Sequence, residues 1–79
     1  MAQKLKQDIS IGTTIRRLRN VAGLTQEQVV AQMQVNGCTL SRSAYSQIER
    51  GTYSTRISAL MTLRRIFGVE YADFFSDLP

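Results

Sequence analysis

LTQEQVVAQMQVNGCTLSRSAYSQIERG, residues 24–51, reads as two short helices joined by a turn that contains a glycine. In the second helix the polar side chains fall within an arc of roughly 140°, and the apolar ones lie on the opposite flank. The polar arc consists of Arg42, Ser43, Ser46, Gln47 and Arg50, and the apolar flank of Ala44, Tyr45 and Ile48. This helix is therefore expected to pack on one side and to leave the other side open to solvent.

Local capping signals mark the ends of these two helices. Thr25 and Gln28 have the spacing of a capping box, which predicts that the first helix begins next to Thr25. Ser41 is a favourable N-cap for the second helix, and Gly51 can end it. Between the helices, Gly37 is expected to take a positive φ and to reverse the chain. The connection is longer than the three or four residues that are usual in a helix-turn-helix.

The same stretch resembles the helix-turn-helix domain of the Cro and phage-repressor family, the xenobiotic-response-element-like regulators. The resemblance rests on Arg19 followed by Leu24-Thr25-Gln26-Glu27-Gln28-Val29, then Ser41-Arg42-Ser43, then Ile48-Glu49-Arg50-Gly51. It covers roughly residues 11–75, nearly the whole chain. It implies an all-α fold, a five-helix lambda-repressor-like DNA-binding domain with the helix-turn-helix formed by helices 2 and 3. In such a domain helix 3 enters the major groove and helix 2 lies across the DNA backbone.

Matching the family pattern onto the chain implies three sets of site residues. The base-reading candidates on helix 3 are Arg42, Ser43, Ser46 and Gln47. Arginine can bind guanine, and glutamine can bind adenine, through two hydrogen bonds each; the short serines are equally suited to phosphates or water. The candidates for contact with the sugar–phosphate backbone are Gln26, Ser41, Arg50, Thr52, Tyr53 and Arg56. Arg19 and Glu49 are expected to form a partly buried structural ion pair that holds helix 1 against helix 3.

Charge is distributed unevenly along the chain. Residues 1–65 carry ten basic and three acidic side chains, a net charge of +7, whereas residues 66–79 carry three acidic side chains and no basic one. The first part is suited to an anionic polymer such as double-stranded DNA. The alternative is that the positive surface is solvated and serves only solubility. In that case the polar loop after helix 3 and the exposed Gln26 bind no ligand.

The composition argues against several other classes of protein. Cys38 is the only cysteine and there is no histidine, so an intramolecular disulfide and a Cys/His zinc site are excluded. The chain has no paired carboxylate motif and no glycine-rich phosphate loop, so an enzyme is not expected. No cofactor, metal or small-molecule ligand is evident. Without an apolar run near 18 residues, a cytoplasmic protein with no membrane segment is expected.

The remaining helices are predicted from apolar spacing. Residues 1–9 are expected to be a flexible arm and residues 10–79 a single domain. Helix 1 should run from near Ser10 to Ala22 with an apolar stripe of Ile11, Ile15, Leu18 and Ala22. Helix 4 should be capped by Ser54 or Thr55 and bury Ile57, Leu60, Met61, Leu63 and Phe67. Residues 69–77 should form a short helix 5 that carries Tyr71, Phe74 and Phe75.

These expectations favour a sequence-specific transcriptional regulator, a repressor that blocks an operator as a homodimer, at least on DNA. The three aromatic residues near the end of the chain leave two alternatives open, because they either close the core or form part of a subunit contact. A protein-binding module on the same scaffold, such as an antitoxin or a regulatory partner, is the alternative function.

Overall fold

Five helices and no strand make up the described part of the chain. The computed structural model describes residues 2–52 and 55–76, with side chains described from residue 11 onward within these ranges. The helices are α1 (Ala2–Val21), α2 (Gln26–Val35), α3 (Arg42–Arg50), α4 (Ile57–Phe67) and α5 (Tyr71–Phe74). The predicted all-α fold with five helices is confirmed.

Helices α2 and α3 begin and end where their capping residues predict. The Gln28 N–H donates to Thr25 Oγ1 at 3.1 Å, and the Thr25 N–H donates to Gln28 Oε1 at 2.8 Å, which completes the capping box. Ser41 Oγ accepts a hydrogen bond of 3.0 Å from the backbone of α3. Gly51 ends α3 with a φ of 77°, and Gly37 reverses the chain after α2 with a φ of 85°. Side-chain hydrogen bonds thus fix the starts of both helices.

The hydrophobic core lies where the five helices meet. The core residues are Ile15, Leu18, Val29, Met33, Tyr45, Ile48, Ala59, Leu63, Phe67 and Phe74. Half-buried Cys38, in the turn between α2 and α3, also packs against this core. Helix α3 contacts both α1 and α2, while α4 packs mainly on α2 and α5 on α1. Because α3 is held from two sides, only its polar flank is left for solvent.

Helix α1 begins at Ala2, well before the start near Ser10 that the apolar stripe predicts. Residues 2–7 have the sequence AQKLKQ, and all of these residue types have high helix propensity. The helix can therefore extend toward the N-terminus without an apolar stripe. The division into a flexible arm, residues 1–9, and a domain, residues 10–79, stays a prediction.

The apolar stripe of α1 is correct except at its C-terminal end. Ile15 and Leu18 are buried and Ile11 is half-buried. Ala22 lies after the last residue of α1 and is exposed, so its place in the stripe is wrong. The helix ends two residues before Gly23, whose φ of 75° redirects the chain toward α2.

Helix α1 lies so close to α3 at Gly12 that an added side chain would clash with the backbone of α3. A Cβ atom at this position would lie 2.5 Å from the carbonyl oxygen of Ile48 and 2.8 Å from that of Glu49. Both of these atoms are backbone and cannot move aside by a change of rotamer. Gly12 therefore sets the distance between α1 and α3.

Helix α4 begins later than its predicted cap. Its N-cap is Arg56, which makes no side-chain capping hydrogen bond. The predicted cap at Thr55 is wrong, and Ser54 lies outside the described residues. Packing explains the difference, because the start of α4 is set by Ala59 and Leu63 entering the core and not by a local cap.

Two residues of the predicted apolar set of α4 face solvent instead of the core. Ile57 is 76% exposed and Met61 is 45% exposed, whereas Leu63 and Phe67 are buried and Leu60 is half-buried. Ile57 and Met61 are one turn apart and share a side of the helix. The core-facing side is instead marked by Ala59, Leu63 and Phe67, at spacings of four residues.

Helix α5 is shorter than predicted and buries only one of its aromatic residues. Phe74 is fully buried, whereas Tyr71 and Phe75 are each 41% exposed, so the alternative in which all three close the core is wrong. The guanidinium carbon of Arg64 lies 5.0 Å from the centre of the Tyr71 ring, within range of a cation–π contact. Asp77, in the predicted helix, lies outside the described residues. None of the described helices has the length and apolar character to span a membrane.

Candidate nucleic-acid interface

The polar flank of α3 faces solvent. Arg42, Ser43 and Arg50 are exposed, and Ser46 and Gln47 are half-buried. The opposite side of the helix is buried and consists of Tyr45, Ile48 and Glu49. The sequence prediction of one packed and one open side is therefore correct. Such a helix can enter a groove without exposing its apolar residues.

One shallow depression brings together residues of α2 and α3. It is lined by Gln26, Arg42, Ser43, Ser46 and Arg50. Gln26 is the first residue of α2, and the N-terminus of a helix presents unpaired N–H groups that favour anions. The depression therefore combines two cationic side chains with hydrogen-bonding groups. Three of the base-reading candidates and two of the backbone candidates meet here.

A second depression extends this surface onto α1. It is lined by Arg16, Arg19, Gln26, Ser46, Glu49 and Arg50. Arg16 is exposed and was not among the predicted site residues. The sequence held a signal for it, because Arg16 lies three residues before Arg19 and hence on the same side of α1. Since Arg19 was expected to face α3, Arg16 also belongs near α3.

The other predicted site residues lie outside these two depressions. Gln47 is half-buried, and its carbonyl oxygen accepts hydrogen bonds from the N–H of Thr52 at 3.0 Å and from its hydroxyl at 3.3 Å. Ser41 and Thr52 are exposed at the two ends of α3. Arg56 lines a separate depression, together with the turn 37–40 and the start of α4. Tyr53 lies outside the described residues.

Arg19 and Glu49 form an ion pair between α1 and α3. Arg19 Nε donates to Glu49 Oε2 at 2.7 Å, and a second guanidinium nitrogen of Arg19 donates to Oε1 at 3.2 Å. Arg19 also donates to the carbonyl oxygen of Leu24 at 2.8 Å, and Gln26 Nε2 donates to Glu49 Oε1 at 3.0 Å. The side chains of Arg19 and Glu49 are 12% and 3% exposed, so the pair is largely shielded from water.

The environment keeps both members of this pair ionised. The pKa of Glu49 is below its ordinary value. Burial has the largest single influence and would by itself raise this pKa. The hydrogen bonds from Arg19 and Gln26, together with the charge of Arg19, outweigh the effect of burial. The hydrogen bond to Glu49 is the main cause of the raised pKa of Arg19, and burial opposes it.

Tyr45 is buried beside the ion pair. Its hydroxyl has no hydrogen-bond partner of acceptable geometry among the described residues. Burial is the main cause of the raised pKa of Tyr45, and the nearby Glu49 carboxylate raises it further. The neutral phenol thus fills space between α3 and the core, in agreement with the expectation that Tyr45 is a core residue.

Most groups on this surface can bind an anion. Apart from the Glu49 carboxylate, its side chains are guanidinium groups, hydroxyls and amides, which donate hydrogen bonds to anionic or polar acceptors. Within the described residues, no three His, Cys, Asp or Glu side chains are grouped to hold a metal ion. An extended anion with polar groups at regular intervals is the ligand that these side chains match.

A comparison with known protein families matches residues 10–73 to the helix-turn-helix domain. The match spans most of the chain and includes α2, α3 and α4 completely. No curated protein and no solved structure gives a significant match. The chain therefore belongs to the helix-turn-helix domain family, in keeping with a DNA-binding domain of the Cro and repressor type.

Proposed function

We propose that this protein is a sequence-specific transcriptional regulator that binds double-stranded DNA with α3 in the major groove, and that it acts as a repressor by blocking an operator. The observation that carries the proposal is the depression where Gln26 meets Arg42, Ser43, Ser46 and Arg50. An exposed helix flank with such residues has the dimensions and the donors that the major groove accepts.

Affinity comes from the cationic side chains. Arg42, Arg50 and Arg16 are exposed next to the N-terminus of α2 and displace counterions from phosphates. Each neutralised phosphate lowers the logarithm of the binding constant by roughly 0.9 per tenfold increase in salt. Backbone contacts from Gln26, Ser41, Arg50, Thr52, Tyr53 and Arg56 then fix the position of α3 on the duplex.

Discrimination between sequences comes from α3. Arg42 and Gln47 have the side chains for bidentate contacts with guanine and adenine, each of which contributes about 1–3 kcal/mol. Ser43 and Ser46 are short and contribute closer contacts with bases, phosphates or bound water. A recognition helix of nine residues reads few base pairs, so two copies on half-sites about 34 Å apart are expected.

A test of this function begins by selecting genomic fragments that the protein binds. Arg42→Ala and Gln47→Ala are expected to weaken binding to the selected duplex about tenfold or more, since each removes a bidentate contact. Both variants should keep most of their binding to random duplexes. The matched controls are Arg65→Ala and Gln34→Ala, because both residues are exposed and neither lies on α3.

Fluorescence anisotropy with labelled duplexes measures these affinities, and circular dichroism reports whether each variant is folded. Equal weakening on selected and random DNA would mean that these two residues do not read sequence. Equal effects of Arg42→Ala and Arg65→Ala would refute the placement of α3 in the groove.

One observation favours a second candidate function, a protein-binding module. Ile57, Met61, Tyr71 and Phe75 are apolar residues with 41–76% of their surface exposed. Such residues suit contact with another protein, either a second copy of this chain or a different partner. A gel shift with random duplexes at low salt separates the two functions, because a protein-binding module that has lost DNA binding would give no retardation.

A further inference from the structure

The Arg19–Glu49 pair lies against a residue of the candidate interface. Glu49 Oε1 accepts hydrogen bonds from both Arg19 and Gln26 Nε2. Gln26 lines both depressions, whereas Arg19 and Glu49 line only the one that reaches α1. Gln26 therefore connects the shielded ion pair with the exposed flank of α3.

This contact determines the orientation of the Gln26 amide. An ionised carboxylate can only accept hydrogen bonds, so Gln26 must present its nitrogen to Glu49 and not its oxygen. Arg19 holds Glu49 in place with two hydrogen bonds, and is itself anchored to the carbonyl oxygen of Leu24. Gln26 Oε1 and the second hydrogen of Nε2 remain for a ligand in a fixed arrangement.

We propose that Glu49 is a positioning residue for DNA recognition, which orients the amide of Gln26 so that its oxygen and remaining N–H meet the duplex in one arrangement. This inference rests on the proposed DNA-binding function. It adds a second role to the ion pair, which the family resemblance predicts to be structural. Without the carboxylate, the amide is free to turn over, and its oriented contact with the duplex is lost.

Glu49→Gln tests the inference because it keeps the shape of the side chain but removes its charge. Loss of a negative charge beside DNA should by itself strengthen binding. Positioning predicts the opposite result, a weakening of about tenfold on the selected duplex, as expected when one oriented polar contact is lost. Glu27→Gln is the matched control, since Glu27 is exposed in the first turn of α2 and makes the same change of charge.

A double-mutant cycle separates positioning from a loss of stability. The proteins compared are the wild type, Glu49→Gln, Gln26→Ala and the double variant, with affinities corrected for the folded fraction seen by circular dichroism. Glu49→Gln should weaken binding about tenfold when Gln26 is present and less than about twofold in the Gln26→Ala background. Equal weakening in both backgrounds overturns the inference, because Glu49 would then act only through the packing of α1 on α3.

If Glu49→Gln does not fold, nuclear magnetic resonance of the wild type decides the question. The side-chain amide protons of Gln26 should exchange with solvent more slowly than those of exposed Gln34, and equal exchange would overturn the inference. If the wild type binds no duplex, the proposed function fails as well. If it binds and the cycle shows no coupling, only the positioning role fails.

Discussion

Gly12→Ala should destabilise the protein although alanine favours helix formation. In an unobstructed helix, this substitution stabilises by about 1 kcal/mol. Here the new methyl group would lie 2.5 Å from the carbonyl oxygen of Ile48 and 2.8 Å from that of Glu49, both well inside van der Waals contact. Overpacking of this kind costs about 1–3 kcal/mol, and backbone neighbours place it at the upper end. The expected net loss is about 2 kcal/mol.

Thermal and urea unfolding followed by circular dichroism measure this loss. For a domain of this size, about 2 kcal/mol lowers Tm by roughly 8–16 °C. Asn20→Ala is the control on the same helix, because Asn20 is exposed and alanine there should leave stability unchanged or slightly raised. A Gly12→Ala variant at least as stable as the wild type would refute the close approach of α1 to α3.

Two further predictions concern the ion pair and the core. Because the pKa of Glu49 is lowered in the folded state, its stabilising contribution is complete above the unfolded pKa of about 4.5 and is lost as the pH falls through the lower folded pKa. The free energy of unfolding of Glu49→Gln should therefore be lower than that of the wild type by roughly 3 kcal/mol at pH 7, and this difference should shrink below about pH 4.5. Urea titrations at several pH values measure the difference, and a value that does not change with pH would contradict this. Leu63→Ala should lower the free energy of unfolding by about 2–5 kcal/mol because Leu63 is fully buried. Ile57→Ala should change it by less than about 0.5 kcal/mol because Ile57 is exposed. Similar Tm values for the two variants would contradict the orientation of α4.

The ends of α2 and α3 could be predicted from sequence because capping is local. Thr25 and Gln28 are three residues apart and bond to each other's backbone, so their pattern alone fixes the start of α2. The same holds for Ser41 at the start of α3 and Gly51 at its end. Within these ends, the helical period sets which residues of α3 share a side, so the open polar flank could be predicted as well.

Features that depend on contacts between distant segments were not predictable in this way. The need for glycine at position 12 arises from the backbone of α3, which a helical pattern in α1 does not reveal. The apolar residues of α4 outnumber the places that face the core, so periodicity assigned Ile57 and Met61 to it wrongly. Arg16 could not be predicted from the pattern of α1 alone because its place in the second depression depends on the position of α1 beside α3.

Stability and DNA binding should respond differently to a change in α4 and to a change in α1. Leu63 lies in the core contributed by α4, which packs on α2 and has no residue in the two depressions. Loss of its side chain should lower the folded fraction, and the molecules that remain folded should keep the geometry of the proposed DNA-binding surface. Gly12 differs because an added methyl group pushes α1 away from α3, which moves Arg16 and Arg19 relative to Arg50 and Glu49. The folded fraction of Gly12→Ala should therefore bind DNA more weakly than that of Leu63→Ala, since its interface is built across the displaced contact.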